Sequence, residues 1–176
     1  MATTKIQAAP QTAKRSFSAG SVISAIGRWI VRNRIYLIAF AIPAVLTYLA
    51  YALFGLYPFG EESVLCLDLN GQYVYYFEAL RDAFWGDGSI FYNWSRNLSG
   101  EFMGIIGYYL ASPFTLIVML LPEKFMLSSL LIMQLCKLGA AGATFNYFLQ
   151  KRRGVQPYPS LLFSTMYAMM AYGVIQ

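Results

Sequence analysis

The sequence predicts an all-α, polytopic transmembrane protein, and three observations support that fold class. The chain is 58% hydrophobic and only 12% charged, whereas soluble domains carry about 25% charged residues. Long uncharged segments follow one another along the chain, as in proteins that cross a bilayer several times. The charged residues are segregated along the sequence, which is typical of a chain whose loops lie on two sides of a membrane.

The charge is distributed in three blocks. Residues 1–56 carry six basic and no acidic side chains, residues 57–124 carry all eight acidic and three basic ones, and residues 125–176 carry four basic and no acidic ones. Because basic loops stay in the cytoplasm, we expect a cytoplasmic N-terminus and an external acidic middle. Nucleic acid is not an expected partner, since the bases flank apolar segments instead of forming one exposed patch.

The first membrane crossing is predicted over residues 35–56. This uncharged run of 22 residues would be about 33 Å long as a helix, enough to cross a hydrocarbon core of about 30 Å. Residues 1–34 precede it, and they read as a disordered cytoplasmic tail followed by a basic interfacial segment. The alternative is a cleaved signal peptide, because Ala50-Tyr-Ala52 resembles a cleavage site, but the run exceeds the usual ~7–15 apolar residues.

A large first external loop is predicted over residues 57–124, and Asp68 is its central residue. Apolar residues at helical spacing follow Asp68 and predict an amphipathic juxtamembrane helix over 69–85, which ends at Gly86-Asp-Gly88. The residues that share its apolar face are Tyr73, Tyr76, Phe77, Leu80 and Phe84.

Two interpretations of residues 104–121 remain open, because Ser112-Pro113 interrupts this short apolar segment. If it crosses the membrane, the next span, 125–149, runs from inside to outside. If it is an interfacial or re-entrant helix, that span runs from outside to inside, and the basic loop 150–158 is cytoplasmic. The positive-inside rule favours the second interpretation, since this loop contains Lys151-Arg-Arg153.

The last segment and the composition limit what the chain can do alone. Residues 159–176 begin a further apolar segment, so we expect the N-terminal part of a larger polytopic protein. There is no His, and Cys66 and Cys136 fall in a predicted loop and a predicted span, so we expect neither a disulfide nor a thiolate metal site. Phosphate-binding glycine loops, metal-ligand clusters and nucleophile elbows are absent from the sequence, and no cofactor is predicted.

A few polar residues carry the remaining chemistry. A carboxylate near aromatic neighbours can act as a general base toward an acceptor hydroxyl, which is the role we consider for Asp68; its alternative is a helix N-cap. Arg81 or Arg96 would hold a phosphate by bidentate hydrogen bonds, although Arg81 also fits a solvated helix face. A lysine within a span needs a partner, so Lys137 is expected to pair with another helix or, second, to contact a phosphate or polar substrate.

The order of several short motifs resembles the beginning of the bacterial YfhO family of membrane proteins, from about residue 35 to the end. The motifs precede the lysine-containing span, and they are Tyr57-Pro-Phe-Gly60, Asp68-Leu-Asn-Gly-Gln-Tyr73, Tyr92-Asn-Trp-Ser95 and Tyr108-Tyr-Leu-Ala-Ser-Pro-Phe114. Proteins of this family are much longer, so the resemblance implies that the chain covers only their first part.

The resemblance implies a glycosyltransferase of the GT-C type in the bacterial cytoplasmic membrane. Such an enzyme moves a sugar from a polyprenyl-phosphate donor to a cell-envelope polymer, for example teichoic acid, outside the membrane. Asp68 matches the position of the catalytic acid in the first external loop. The residues expected to bind substrate are Gln72, Tyr73, Arg81, Trp94, Arg96 and Lys137. The rival functions are a flippase or other transporter for lipid-linked sugars and a non-catalytic membrane scaffold.

Overall fold

A computed structural model of the protein describes residues 19–61, 72–94 and 100–170. These residues are mostly helical, and they divide into two units, residues 1–34 and 35–176. The helices are α1 (Ala19–Leu53), α2 (Val74–Trp85), α3 (Met103–Ile105), α4 (Thr115–Leu120), α5 (Met126–Arg153) and α6 (Pro157–Ala168). A two-stranded antiparallel sheet is formed by β1 (Tyr92–Asn93) and β2 (Gly100–Glu101).

In the first unit, the described residues form the beginning of α1. Their apolar side chains are largely exposed, and 70% of the surface of Ile23 is accessible to solvent. The helix continues without interruption past Arg34, so the boundary between the predicted interfacial segment and the predicted span is not a break in the helix. An exposed apolar helix with interspersed arginines suits contact with a lipid–water interface.

In the second unit, α1 and α5 run antiparallel. The rings of Tyr36 and Tyr147 lie 5.7 Å apart. After the end of α1, the hydroxyl of Tyr57 lies 2.6 Å from that of Ser128, near the beginning of α5. Tyr36 near the start of the second unit thus contacts the C-terminal part of α5, and Tyr57, which follows α1, contacts the N-terminal part of α5. The two helices therefore run in opposite directions.

A close approach between α1 and α5 centres on Gly142. Pro43 lies within α1 and has no N–H, so the carbonyl of Ala39 lacks its usual helical donor. Gly142 approaches this carbonyl so closely that a Cβ there would overlap the Ala39 oxygen and lie 3.1 Å from Cγ of Pro43. The small residue therefore lets the two helices meet at the proline.

Helix α6 folds back onto α5 through buried polar side chains. Gly154 ends α5 in the left-handed conformation, with φ of 64°. The side-chain amide of Asn146 then donates hydrogen bonds to the hydroxyls of Ser160 and Ser164, at 3.0 and 3.3 Å. All three side chains are fully buried, so this hairpin is fixed by satisfied hydrogen bonds as well as by apolar contact.

Between the two long helices lies a small module, residues 72–94 and 100–125, which we call the α2–α4 module. It packs α2, α3 and α4 against the first turns of α5. The buried core consists of Phe77, Leu80, Phe102, Ile105, Leu110, Val118, Met126, Leu130 and Met133. Phe84 was predicted for the same face of α2 but is 58% exposed, because the last turn of α2 extends past this core.

The segment predicted over 104–121 consists of two short pieces. After α3, a wider π turn runs from Ile106 to Leu110, the chain then turns over residues 111–114, and α4 follows. A helix of six residues is only about 9 Å long and is too short to cross a bilayer by itself. Its placement relative to the membrane stays a prediction.

Candidate functional site

Two predicted site residues, Asp68 and Arg96, lie outside the residues that the structure describes. Their catalytic and phosphate-binding roles therefore stay predictions. The described part of α2 begins at Val74, later than the predicted start at residue 69, and its N-cap residue Tyr73 makes no side-chain capping hydrogen bond.

A groove lies between α2 and the chain that returns from it. Its volume is about 350 Å³, and it is open to solvent. One wall is the outer face of α2, and the other is the turn after α2 together with β1 and Trp94. The lining residues are Tyr75, Tyr76, Glu78, Ala79, Asp82, Asp87, Gly88, Ser89, Tyr92, Asn93 and Trp94.

The groove exists because the chain reverses tightly after α2. The backbone N–H groups of Gly86 and Gly88 both donate to the carbonyl of Asp82, at 3.0 Å. A Cβ at Gly88 would lie 2.8 Å from the backbone nitrogen of Ala83, so this turn requires glycine. Strand β1 then pairs with β2, where Tyr92 lies opposite Glu101. This pairing holds the returning chain beside α2.

Three carboxylates make the groove acidic. Glu78 and Asp82 are one helical turn apart on α2, and Asp87 follows in the turn. The pKa of Glu78 is raised above its ordinary value, chiefly by burial and then by the nearby charges of Glu123 and Asp82. Among the lining residues that the structure describes, no side chain is basic, so nothing there offsets the negative charge.

Aromatic rings form the other part of the groove lining. The rings of Tyr92 and Trp94 meet edge to face at 4.7 Å, and Trp94 keeps 81% of its surface exposed. Tyr75 is also exposed, across the groove on α2. The predicted substrate residue Trp94 is thus an accessible ring at the groove, held in place by its contact with Tyr92.

A cluster of tyrosines borders the groove. Tyr73, the N-cap residue of α2, and Tyr76 both contact Tyr109, at ring distances of 5.1 and 5.5 Å, and Tyr108 also contacts Tyr109, at 4.6 Å. Because Tyr76 also lines the groove, the cluster connects the predicted residue Tyr73 to it. Gln72 precedes Tyr73 and is exposed.

Arg81 lies on another side of α2, against α4. Its guanidinium donates hydrogen bonds to the carbonyls of Val118, at 2.7 Å, and of Met119 and Leu121. Beside it, the indole N–H of Trp85 donates to the same Met119 carbonyl at 2.9 Å. Arg81 thus satisfies the carbonyl end of α4, which leaves its predicted contact with a donor phosphate without structural support.

Lys137 lies on the face of α5 that packs against the α2–α4 module. It follows Met133 by one helical turn and Leu130 by two, and both of those residues belong to the module's core. Its side chain is half-buried. No hydrogen bond or ion pair to Lys137 is found within residues 19–61, 72–94 and 100–170, so the partner that a lysine in a span requires is not among them.

Sequence reasoning missed the acidic groove itself. Glu78 was not singled out, and Asp82 was assigned no role in a site. The i, i+4 spacing of these two acids and the nearby Gly86-Asp-Gly88 turn were visible in the sequence and together indicate a clustered negative face. No three Cys, Asp or Glu side chains among the described residues converge as metal ligands.

The fold and the sequence comparison together give the class and the family. Among the described residues, the segments Val22–Leu53 and Glu123–Arg153 are long and apolar enough to cross a bilayer, which is the architecture of a helical membrane protein. A model of the family described as bacterial membrane protein YfhO matches residues 39–176. The chain therefore belongs to the YfhO family and is a membrane protein. Comparisons with curated proteins and with solved structures give no match.

Proposed function

We propose that this chain belongs to a membrane glycosyltransferase of the GT-C type. The enzyme would move a sugar from a polyprenyl-phosphate donor to a cell-envelope acceptor on the outer face of the bacterial cytoplasmic membrane. Membership of the YfhO family supports a membrane-associated role, and the single structural observation that carries the proposal is the antiparallel pairing of α1 with α5.

This pairing supports an external position for the α2–α4 module. Tyr147 pairs with Tyr36 at the beginning of the second unit, and Lys151-Arg-Arg153 begins four residues after Tyr147. The beginning of α1 within the second unit therefore lies on the same side of the membrane as this cluster. Because basic clusters stay in the cytoplasm, the opposite ends of α1 and α5, and the module between them, face outward.

The proposed roles follow from the chemistry of each side chain and from the resemblance to the family. Asp68 is the general base that accepts the proton of the acceptor hydroxyl. Gln72, Tyr73 and Trp94 shape the acceptor site beside the groove. The donor phosphate is held by Arg96 and Lys137, the remaining cations of the predicted set, because the guanidinium of Arg81 already bonds to α4.

The test is the conservative variant Asp68→Asn. The variant is expressed from the protein's own gene, and sugar transfer is measured in membranes of these cells. Transfer should be lost, because the side-chain amide of the asparagine accepts no proton. The amount of protein in the membrane should stay normal, since Asn caps a helix about as well as Asp. The matched control is Glu61→Gln, which changes an exposed acid of the same loop and should leave transfer intact.

Transfer by Asp68→Asn at the wild-type rate would remove Asp68 from catalysis and would favour a scaffold. Movement of a labelled lipid-linked sugar across the membrane without any acceptor, unaffected by Asp68→Asn, would favour a flippase instead.

A further inference from the structure

We infer that the groove between α2 and β1 binds the uncharged glycosyl part of a substrate and excludes its phosphate-bearing part. The inference names the class of ligand that the groove binds. Only the part that the groove plays in sugar transfer rests on the proposed function. The lining offers both elements of a carbohydrate site, which are accessible aromatic rings and groups that accept hydrogen bonds.

The aromatic part is the pair Tyr92 and Trp94. The exposed indole of Trp94 offers a flat apolar surface to the C–H face of a sugar ring, and its ring contacts that of Tyr92 edge to face at 4.7 Å. Tyr75 stands on the opposite wall. A sugar ring is flat and apolar on its C–H faces and polar on its edge, so rings on the walls and polar groups between them match its shape.

The polar part selects hydrogen-bond donors. Ionised carboxylates accept hydrogen bonds and donate none, so Glu78, Asp82 and Asp87 favour a ligand that presents hydroxyl or ammonium groups. Glu78 and Asp82 are four residues apart on α2, about 6 Å along the helix axis, which lets them address two hydroxyls of one sugar unit. Ser89 adds a hydroxyl beside them.

The same carboxylates oppose phosphate. An anionic ligand in this groove would meet three like charges, and no described lining residue is basic. Burial and the nearby charges of Glu123 and Asp82 raise the pKa of Glu78, which indicates that like charges already lie close together on this wall. No metal site that could link these carboxylates to a phosphate is found among the described residues, since no three acids or thiols converge there as ligands. The half-buried Lys137 on α5 is not among the lining residues and is a separate position for the anionic part.

The test compares neutral glycosides with their phosphates as probes. The protein in detergent is titrated with the methyl glycosides of glucose, galactose and N-acetylglucosamine and with the 6-phosphates of the same compounds, and binding is followed by saturation-transfer NMR. We expect at least one neutral glycoside to bind about tenfold more tightly than its phosphate, because like charges repel in the groove.

Two variants connect the binding to the groove. Trp94→Ala should weaken the neutral glycoside about tenfold, as loss of a stacking surface does, whereas the control Trp29→Ala, an exposed residue of α1, should change nothing. The double variant Glu78→Gln and Asp82→Asn keeps the side-chain shapes and should reduce the discrimination against phosphate, because Asp87 is then the one acid left in the described lining. Circular dichroism and thermal unfolding of each variant show that it is folded.

Binding of the phosphates as tightly as the neutral compounds would overturn the inference, and so would the absence of binding by every neutral glycoside or unchanged binding in folded Trp94→Ala. These outcomes are distinct from failure of the proposed function. If glycosides bind as expected but Asp68→Asn still transfers sugar at the normal rate, the groove stands and the catalytic assignment falls. If Asp68→Asn is inactive but the groove variants bind normally, the groove assignment falls alone.

Discussion

At the scale of single residues, the charged side chains of α2 have different tasks although they are neighbours in sequence. Arg81 turns toward α4 and bonds to its terminal carbonyls, while Glu78 and Asp82 face the groove. A helix presents different neighbours every 100° or so, so adjacent residues meet different surroundings. The arginine is structural in this account, and the acids belong to the candidate site.

Replacing Arg81 by Met should destabilise the protein. The change keeps an apolar stem but removes the donor for the carbonyls of Val118 and Leu121, and hydrogen bonds to charged groups contribute about 1.5–3 kcal/mol. Chemical unfolding in detergent would measure the loss. The control Arg152→Gln, at an exposed position, should change stability by less than about 0.5 kcal/mol. Equal stability of the two variants would show that the carbonyl contacts contribute nothing.

Replacing Glu78 by Gln should change how stability depends on pH. The folded-state pKa of Glu78 is raised above 4.5, so the folded protein holds this proton more tightly than the unfolded chain. Its contribution to stability is therefore fully present below 4.5 and is lost as the pH rises through the folded-state pKa. Glu78→Gln should be more stable than the wild type at neutral pH, and the difference in stability should shrink as the pH falls toward 4.5.

Thermal unfolding across this pH range is the measurement. Glu123→Gln removes one of the charges that raise the pKa of Glu78 and should give a smaller change of the same sign. If Glu78→Gln is instead less stable than the wild type at neutral pH, the carboxylate makes a favourable interaction in the folded state.

At the scale of elements, small and polar residues determine how the long helices pack. In α5, Gly142 meets the α1 carbonyl left without a donor by Pro43, and Asn146 bonds to two serines of α6. Interfaces between membrane helices commonly use small residues for close approach and polar side chains for hydrogen bonds. The two contacts lie one helical turn apart, so α5 is the element to which both neighbours are fixed.

Gly142→Leu should separate α1 from α5. Its side chain would collide with the Ala39 carbonyl and the Pro43 ring, and overpacking of this kind typically costs about 1–3 kcal/mol. Thermal unfolding in detergent, with a cysteine crosslink between residues 36 and 147 as a second measurement, would detect it. The control is Gly27→Ala, where an added Cβ meets no atom within 4 Å and helix propensity predicts a gain of about 1 kcal/mol. A normal crosslink and an unchanged midpoint in Gly142→Leu would contradict the close contact.

At the scale of the whole molecule, the sequence predicts the long helices well and the groove poorly. Uncharged runs predicted spans over 35–56 and 125–149, and the long helices α1 (Ala19–Leu53) and α5 (Met126–Arg153) overlap these ranges with different bounds, because length and hydropathy are local properties. The groove depends on contacts between distant residues. Arg81, for example, bonds to a carbonyl 37 positions away, and the sequence alone does not show which face of α2 such a contact will occupy.

The break of the 104–121 segment has a local cause, whereas its relation to the membrane does not. The chain turns at residues 111–114, where a proline removes a helical donor. The proposed external position of the α2–α4 module depends on the direction of α5 in the membrane, and the contact of Tyr36 with Tyr147 gives only its direction relative to α1. The composition of the segment alone left both interpretations open.

Cysteine labelling of intact cells is a direct test of the proposed external position of the α2–α4 module and its groove. In a background with Cys66→Ser and Cys136→Ala, single cysteines are introduced by Glu61→Cys and Arg152→Cys, at two exposed positions, and a membrane-impermeant maleimide is added. The account predicts labelling at position 61 in intact cells and labelling at position 152 only after the membrane is permeabilised. Labelling at position 152 in intact cells would contradict it, because 104–121 would then cross the membrane and α5 would run in the opposite direction.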